Sequence, residues 1–136
     1  MVDSISSARR SENMRRIKSK GMKPEIAVRQ AVHRMGYRFR LHVAGLPGRP
    51  DLVFPRLGKI IEVRGCFWHQ HSSCIDSHIP KSRVEYWLPK LSGNQKRDKE
   101  NLRKLRSLGW RVLLVWECEV LKSKTLNGRL QRFLAA

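Results

Sequence analysis

The sequence predicts an α/β fold, a mixed sheet flanked by helices, and three observations carry that expectation. Two short apolar segments, 51–54 and 59–63, flank Pro55-Arg56-Leu57-Gly58, which reads as an antiparallel hairpin. A helical stripe of Leu102, Leu105 and Leu108 follows, with Gly109 as its stop, predicting a helix near 94–108. After it comes the dense apolar run 110–116 (Val112, Leu113, Leu114, Val115), suited to a central strand buried on both faces. A helix between the third and fourth strands is a crossover, so those two run parallel while the hairpin runs antiparallel.

The remaining elements follow from the same patterns. Pro24 stands where a helix can begin, with Glu25 in the first turn facing the positive end of the helix dipole. Ala27, Val28, Ala31, Val32 and Met35 recur at helical spacing and Gly36 ends the run, which predicts a helix over 24–35. Tyr37, Phe39, Leu41 and Val43 then alternate with Arg38, Arg40 and His42, the pattern of a half-buried strand. Residues 45–50 carry loop chemistry, and 65–80 mix Cys, His and aromatic side chains without a period, as an irregular loop would. From Thr125, Leu126, Leu130, Phe133 and Leu134 suggest a closing helix. No internal repeat or low-complexity segment is present.

A chain of 136 residues has room for a single domain, 1–136. Its 29 Lys and Arg against 11 Asp and Glu give a formal charge of +18. Self-repulsion of that size opposes compaction and is normally kept for a polyanionic partner, which excludes an acidic-substrate scavenger. Residues 1–23 concentrate the charge: Arg9, Arg10, Arg15, Arg16, Lys18, Lys20 and Lys23 are opposed only by Asp3 and Glu12. A solvated tail is the ordinary fate of such a run. With +18 overall, an arm that orders on nucleic acid is the better reading. No stretch is apolar enough for a membrane span or a signal peptide, which points to the cytosol and to no membrane partner.

Two constellations could carry chemistry. Asp51 opens one hairpin strand and Glu62-Val63-Arg64 ends the next, so the turn can bring two carboxylates and a cation together. Hard oxygen ligands bind Mg²⁺, and a fixed positive group offsets charge on a phosphate in its transition state. The ordinary alternative is a turn-capping Asp51 and a surface Glu62–Arg64 pair. The second constellation is Cys66, His71 and Cys74, with Cys118 following the apolar run. Three thiolates and one imidazole are the right count for a closed tetrahedral zinc site. Single cysteines usually pack as small hydrophobes, but here each lies near a strand end and two lie beside histidines. His69 is left over, either to complete the zinc shell or to act as a base near Asp51. Between these residues stand Phe67 and Trp68, neighbours that cannot easily both point inward. Apolar wedges of this kind part base steps in DNA-bending proteins.

Three longer strings carry a resemblance. Leu46-Pro47-Gly48-Arg49-Pro50-Asp51, Gly65-Cys66-Phe67-Trp68-His69-x-His71 and the run from Leu108-Gly109-Trp110 to Trp116-Glu117-Cys118 are similar to the very short patch repair (Vsr-type) DNA mismatch endonucleases. Ser11-Glu12-Asn13-Met14-Arg15 and Glu25 fit the same family, and the similarity runs from about residue 8 to 120. The resemblance implies a restriction-endonuclease-like fold of the PD-(D/E)xK type with a structural zinc site. It implies a hydrolase for DNA repair: Mg²⁺-dependent nicking of duplex DNA 5′ to the thymine of a T:G mismatch, where 5-methylcytosine has deaminated next to a methyltransferase's site. It further implies a monomeric bacterial enzyme of the cytoplasm and nucleoid, with a MutL-type repair protein as partner.

Carried over by residue, the resemblance makes Asp51 and the backbone carbonyl of Val63 ligands of Mg²⁺, and His69 the general base toward water. Glu25 would hold a metal-bound water or the base. Cys66, His71, Cys74 and Cys118 would hold zinc. Phe67, Trp68 and Trp87 would intercalate from the major groove and Met14 from the minor groove. Two departures stand out. Ser72 and Ser73 both separate His71 from Cys74, where the family usually has one residue. Arg64 stands where members have a histidine, and Glu62 where they have no acid, so that the wider acid-x-cation pattern of nucleases appears instead. Arginine stays protonated, so Arg64 can neutralise phosphate charge but cannot be a base. Glu62 is then a further candidate Mg²⁺ ligand. Two rival classes remain: a non-catalytic zinc-stabilised DNA-binding module, which would not need Asp51, Glu62 and His69 together, and an RNA-binding translation protein.

Overall fold

The computed structural model describes residues 23–72, 74, 79–120 and 122–136. The expected basic arm, apart from Lys23, and Met14 within it therefore lie outside the described residues. Helix α1 spans Pro24–Arg34, with Pro24 at its start, Glu25 in its first turn, and Val28, Ala31 and Val32 buried along one stripe. Gly36, at φ +92°, takes the left-handed conformation that ends it.

The sheet has four strands in the order β1-β2-β3-β4. Strands β2 (Leu52–Phe54) and β3 (Lys59–Arg64) are the expected antiparallel hairpin, in register from Leu52 opposite Ile61 to Phe54 opposite Lys59. Gly58, at φ +67°, closes the connection and its amide donates to the Phe54 carbonyl at 3.0 Å. Helix α2 spans Val84–Ser107 and returns the chain so that β4 (Arg111–Trp116) lies parallel to β3. A four-residue helix, α3 (Glu117–Val120), and the closing helix α4 (Ser123–Ala135) complete the chain.

The sheet separates two apolar layers. Leu52, Phe54, Ile61 and Val115 pack against α1 and α4 (Val28, Val32, Leu126, Leu130, Leu134). The opposite face packs Val53 and Ile60 on Leu105 of α2, joined by Val43, Leu46, Trp110 and Val112. Burying each of these side chains contributes on the order of 1.5–3 kcal/mol. Lys59 is buried too, and its Nζ donates to the backbone oxygens of Phe133 (2.7 Å), Leu134 (3.2 Å) and Ala136 (2.6 Å). A cation there satisfies orphan carbonyls at the negative end of α4. Among the described residues no helix is long and apolar enough to cross a membrane.

Three expectations need correction. The strand expected over 37–43 is reduced to β1 (Arg40–Leu41), both residues exposed, because His42 at φ +46° turns the chain off the ladder. Tyr37 and Phe39 consequently pack with the α1–α4 layer while Val43 packs on the α2 side. The run 110–116 does not form a central strand: among the described residues β4 lies at the sheet edge, pairing only with β3, and only Val115 of it is fully buried. The helix expected from 94 begins ten residues earlier, because Pro89 and Gly93, which look like breakers in sequence, are accommodated inside α2.

Candidate active site and metal centre

The loop before β2 aims the first carboxylate. The Arg49 amide donates to the Leu46 carbonyl at 3.1 Å, and Gly48 (φ +76°) and Arg49 (φ +46°) both take left-handed backbone. A Cβ on Gly48 would stand 3.0 Å from the Asn101 side chain of α2, so the loop lies close against that helix. Asp51 then enters at the mouth of β2, where its Oδ2 accepts the Val63 amide at 2.7 Å. That bond ties the carboxylate to the end of β3 and leaves Oδ1 turned outward. Burial pushes the Asp51 carboxyl up to about 6, and the nearby charges of Glu25 and Glu62 act in the same direction, while the Val63 amide opposes them. A carboxylate so placed favours a cation beside it.

Around Asp51 lies a cleft of about 140 Å³, lined also by Glu62, Val63, Arg64, His69 and Asp98. Two larger clefts, each about 480 Å³, lie on the outer sides of α1 and β1, and neither is lined by these residues. Glu62 and Arg64 are both buried and form an ion pair at 3.0 Å, with the Arg64 guanidinium over the Trp116 ring at 5.9 Å. The pair is therefore buried and borders the cleft, unlike the surface pair of the ordinary alternative. Glu62 holds the guanidinium in place beside the cleft.

His69 reaches the cleft from the turn after β3. Its Nδ1 lies 2.6 Å from Oδ2 of Asp98, on α2. A carboxylate can only accept, so the proton between them sits on Nδ1, and Nε2 is the ring nitrogen that Asp98 leaves unengaged. His69 thus lines the cleft with Asp51 and lies outside the Cys/His cluster. Asp98 was not singled out by sequence, because it stands among Lys96, Arg97, Lys99 and Glu100 on what reads as a solvated helix face. Its only available signal was helical spacing, since Asp98, Asn101 and Leu105 share one side of α2. His42 was missed as well. Its Nε2 lies 2.9 Å from Oε1 of Glu25 and 3.8 Å from Oδ1 of Asp51, so that Glu25 on α1 does reach the site. The other oxygen of Glu25 is 3.9 Å from Arg29.

The four expected zinc ligands converge. One ligand atom from each of Cys66, His71, Cys74 and Cys118 lies within 4.8 Å of the others. Nδ1 of His71 is 3.7 Å from Sγ of Cys66 and 3.5 Å from Sγ of Cys118. A tetrahedral Zn²⁺ with ordinary bond lengths spaces sulfur and nitrogen ligands by about 3.6 Å, so the donor set fits the ion. The extra residue between His71 and Cys74 does not remove Cys74 from the cluster. Burial pushes the Cys66 thiol up to about 12 and raises Cys118 as well, a cost that a bound cation reverses. Cys118 comes from α3 rather than directly from the strand. The His71 ring stacks on Trp116 at 4.2 Å, and Glu117 accepts the Cys66 amide at 3.4 Å, which fasten the loop to the end of β4.

Between the Cys/His cluster and α2 lies an aromatic cluster. Phe67 packs on Trp68 (5.1 Å between centroids) and on Trp87 (5.4 Å), and Tyr86 sits against Trp87 at 5.0 Å. Trp68 is 44% exposed at the surface, whereas Trp87 is 8% exposed and forms the base. Lys90 stands over the Trp68 ring at 5.6 Å.

Comparison with known proteins agrees with this arrangement. A family model described as DNA mismatch endonuclease Vsr matches residues 2–75. The type II nicking enzyme V.XorIIP of Xanthomonas oryzae is 46% identical over 134 residues, covering 98% of both chains. The DNA mismatch endonuclease Vsr of Escherichia coli is 39% identical over 139 residues, covering 98% of this chain and 88% of that one. The type II nicking enzyme V.NmeAIP of Neisseria meningitidis is 37% identical over 134 residues, 98% of this chain and 95% of that one. In fold, the chain is similar to a homing endonuclease catalytic domain, with a TM-score of 0.57 at 21% identity, covering 83% of this chain and 94% of that one. A mixed sheet flanked by helices, a carboxylate cleft and a Cys/His cluster are thus joined to sequence similarity over nearly the whole length, and the chain belongs to the Vsr family of DNA mismatch endonucleases.

Proposed function

We propose that the protein nicks one strand of duplex DNA 5′ to the thymine of a T:G mismatch, in a Mg²⁺-dependent reaction that opens repair of deaminated 5-methylcytosine. That it is a DNA-cleaving hydrolase rests on its family. The observation that carries the finer reading is the meeting of Asp51, Val63 and His69 in one cleft, with the exposed Trp68 on the segment that follows β3. A binding module would gain nothing from a half-buried carboxylate and an oriented imidazole in the same place.

In this mechanism Asp51 and the Val63 carbonyl would hold Mg²⁺, and Glu25 would hold a water beside it. The bound ion supplies Lewis-acid polarisation of the scissile phosphate. His69, its tautomer fixed by Asp98, accepts the proton of the attacking water at Nε2. Arg64, held by Glu62, offsets the charge that develops on the phosphate. Glu62 positions Arg64 through Oε2, and its other oxygen remains available to the metal in the same cleft. Cys66, His71, Cys74 and Cys118 hold a structural Zn²⁺, which fixes the turn carrying His69 and Trp68. Phe67 and Trp68, backed by Trp87, part the base steps at the mismatch, where a wobble pair unstacks at less cost than a Watson–Crick pair. The basic arm of residues 1–23 grips the backbone, with Met14 entering the minor groove. The same reading makes the protein a cytoplasmic, nucleoid-associated monomer that works with a MutL-type repair protein.

The test is a nicking assay on end-labelled duplexes carrying T:G or T:A at one position, with and without Mg²⁺, beside a structured RNA. The reading requires one nick, 5′ to the mismatched thymine, only with T:G and Mg²⁺. Equal cleavage of both duplexes, or binding without any nick, would overturn it.

A further inference from the structure

His42 is the residue at this site that the proposed mechanism leaves without a task, and its placement is too specific for a surface histidine. Its Nε2 stands 2.9 Å from Oε1 of Glu25 and 3.8 Å from Oδ1 of Asp51, and the three ligand atoms lie within 4.8 Å of one another. The backbone is committed to this placement. His42 takes a left-handed φ of +46°, unusual for a non-glycine residue, and its amide donates to the Asp51 carbonyl at 3.1 Å. The Val63 amide occupies Oδ2 of Asp51, so Oδ1 is the oxygen that faces the imidazole.

The 2.9 Å contact is a hydrogen bond, and together these separations leave room for an ion between the three ligand atoms. Adjacent ligands of an octahedral ion with bonds of ~2.1 Å stand about 3.0 Å apart and opposite ligands about 4.2 Å apart. The observed 2.9 and 3.8 Å fall at and between those limits. The imidazole is 45% exposed, so its Nε2 is reachable by an ion entering from solvent.

We propose that His42 is a direct ligand of the divalent metal at Asp51, with Glu25 as the third side chain, ligating directly rather than through a water, and that the imidazole nitrogen makes the site prefer Mn²⁺ to Mg²⁺. The proposal rests on the reading that Asp51 holds the catalytic ion. Its physical basis is ligand type: Mg²⁺ favours oxygen donors and sheds water reluctantly, whereas a transition ion accepts an imidazole nitrogen readily. A His42 that merely hydrogen-bonded to the carboxylates would help every divalent ion alike.

The experiment uses the full chain as purified, with Mn²⁺ and Mg²⁺ as probes. Binding is measured by calorimetry, and nitrogen coordination by pulsed electron paramagnetic resonance of bound Mn²⁺. The wild type should show nitrogen modulation that survives His69→Gln and disappears in His42→Gln. Mn²⁺ should bind His42→Gln roughly tenfold more weakly, while Mg²⁺ affinity changes by less than about twofold. Asp51→Asn should abolish binding of both. Thermal melting of each variant establishes that it is folded, and His42→Asn provides a second, smaller replacement should the glutamine variant not fold. Absence of nitrogen modulation from the wild type, or an equal loss of Mn²⁺ and Mg²⁺ affinity in His42→Gln, would overturn the proposal. The outcomes also separate the two readings: T:G nicking with no nitrogen modulation defeats the role of His42 alone, whereas nitrogen modulation without nicking defeats the mismatch reading alone.

Discussion

The Asp98 carboxylate lies 2.6 Å from Nδ1 of His69, joining the middle of a long helix to the turn that follows the central strand. The two residues are 29 positions apart. An imidazole whose Nδ1 proton is claimed by a carboxylate presents Nε2 as a base of defined direction.

Asp98→Asn should therefore slow nicking by roughly 10²- to 10⁴-fold, because an amide can donate to Nδ1 and favour the wrong tautomer. DNA affinity should stay within about twofold. Single-turnover nicking and fluorescence anisotropy measure the two quantities, and equal losses in both would show that Asp98 only supports the fold.

The raised Asp51 carboxyl has a signed consequence for stability. Between its ordinary value near 3.8 and its folded value of about 6, the folded state binds more protons than the unfolded one. Stability of the protein without Mg²⁺ should then fall as pH rises through that window. Asp51→Asn should flatten the slope, and added Mg²⁺ should raise the melting midpoint more above pH 6 than below it, since the ion needs the ionised carboxylate. Melting curves from pH 4 to 7 check both; a stability that rises with pH in wild type and variant alike would refute the assignment.

Cys118→Ala removes one thiolate from the Cys/His cluster. Stoichiometric zinc, measured by elemental analysis, should be lost, and the melting midpoint should drop by about 10 °C or more. Nicking should disappear with it, since Cys66 and His71 bracket the segment that carries Trp68 and His69.

Trp68→Ala shortens the exposed tip of the aromatic cluster. T:G duplex binding should weaken by roughly tenfold or more, in keeping with ~1–3 kcal/mol per stacked base. Matched duplex binding, held by the basic surface, should change little. Titration of both duplexes decides the matter, and equal losses would assign Trp68 to packing.

Sequence by itself determined the elements whose evidence is local. Helix α1 was legible because its cap, stripe and stop are neighbours, and the β2–β3 hairpin because four residues make its turn. The Cys/His set and the Asp51 position were legible because the strings around them are specific. Tertiary structure alone decided the rest. The true start of α2 depends on packing that tolerates Pro89 and Gly93, and the edge position of β4 depends on which strands pair. His42 and Asp98 had no local mark, because a histidine in an alternating segment and an acid among basic residues acquire meaning only from partners 17 and 29 positions away. The physical reason is common to all four. Propensity and capping are energies of adjacent residues, whereas a strand's neighbours and a carboxylate's hydrogen-bond partner are set by contacts the chain makes only when closed on itself.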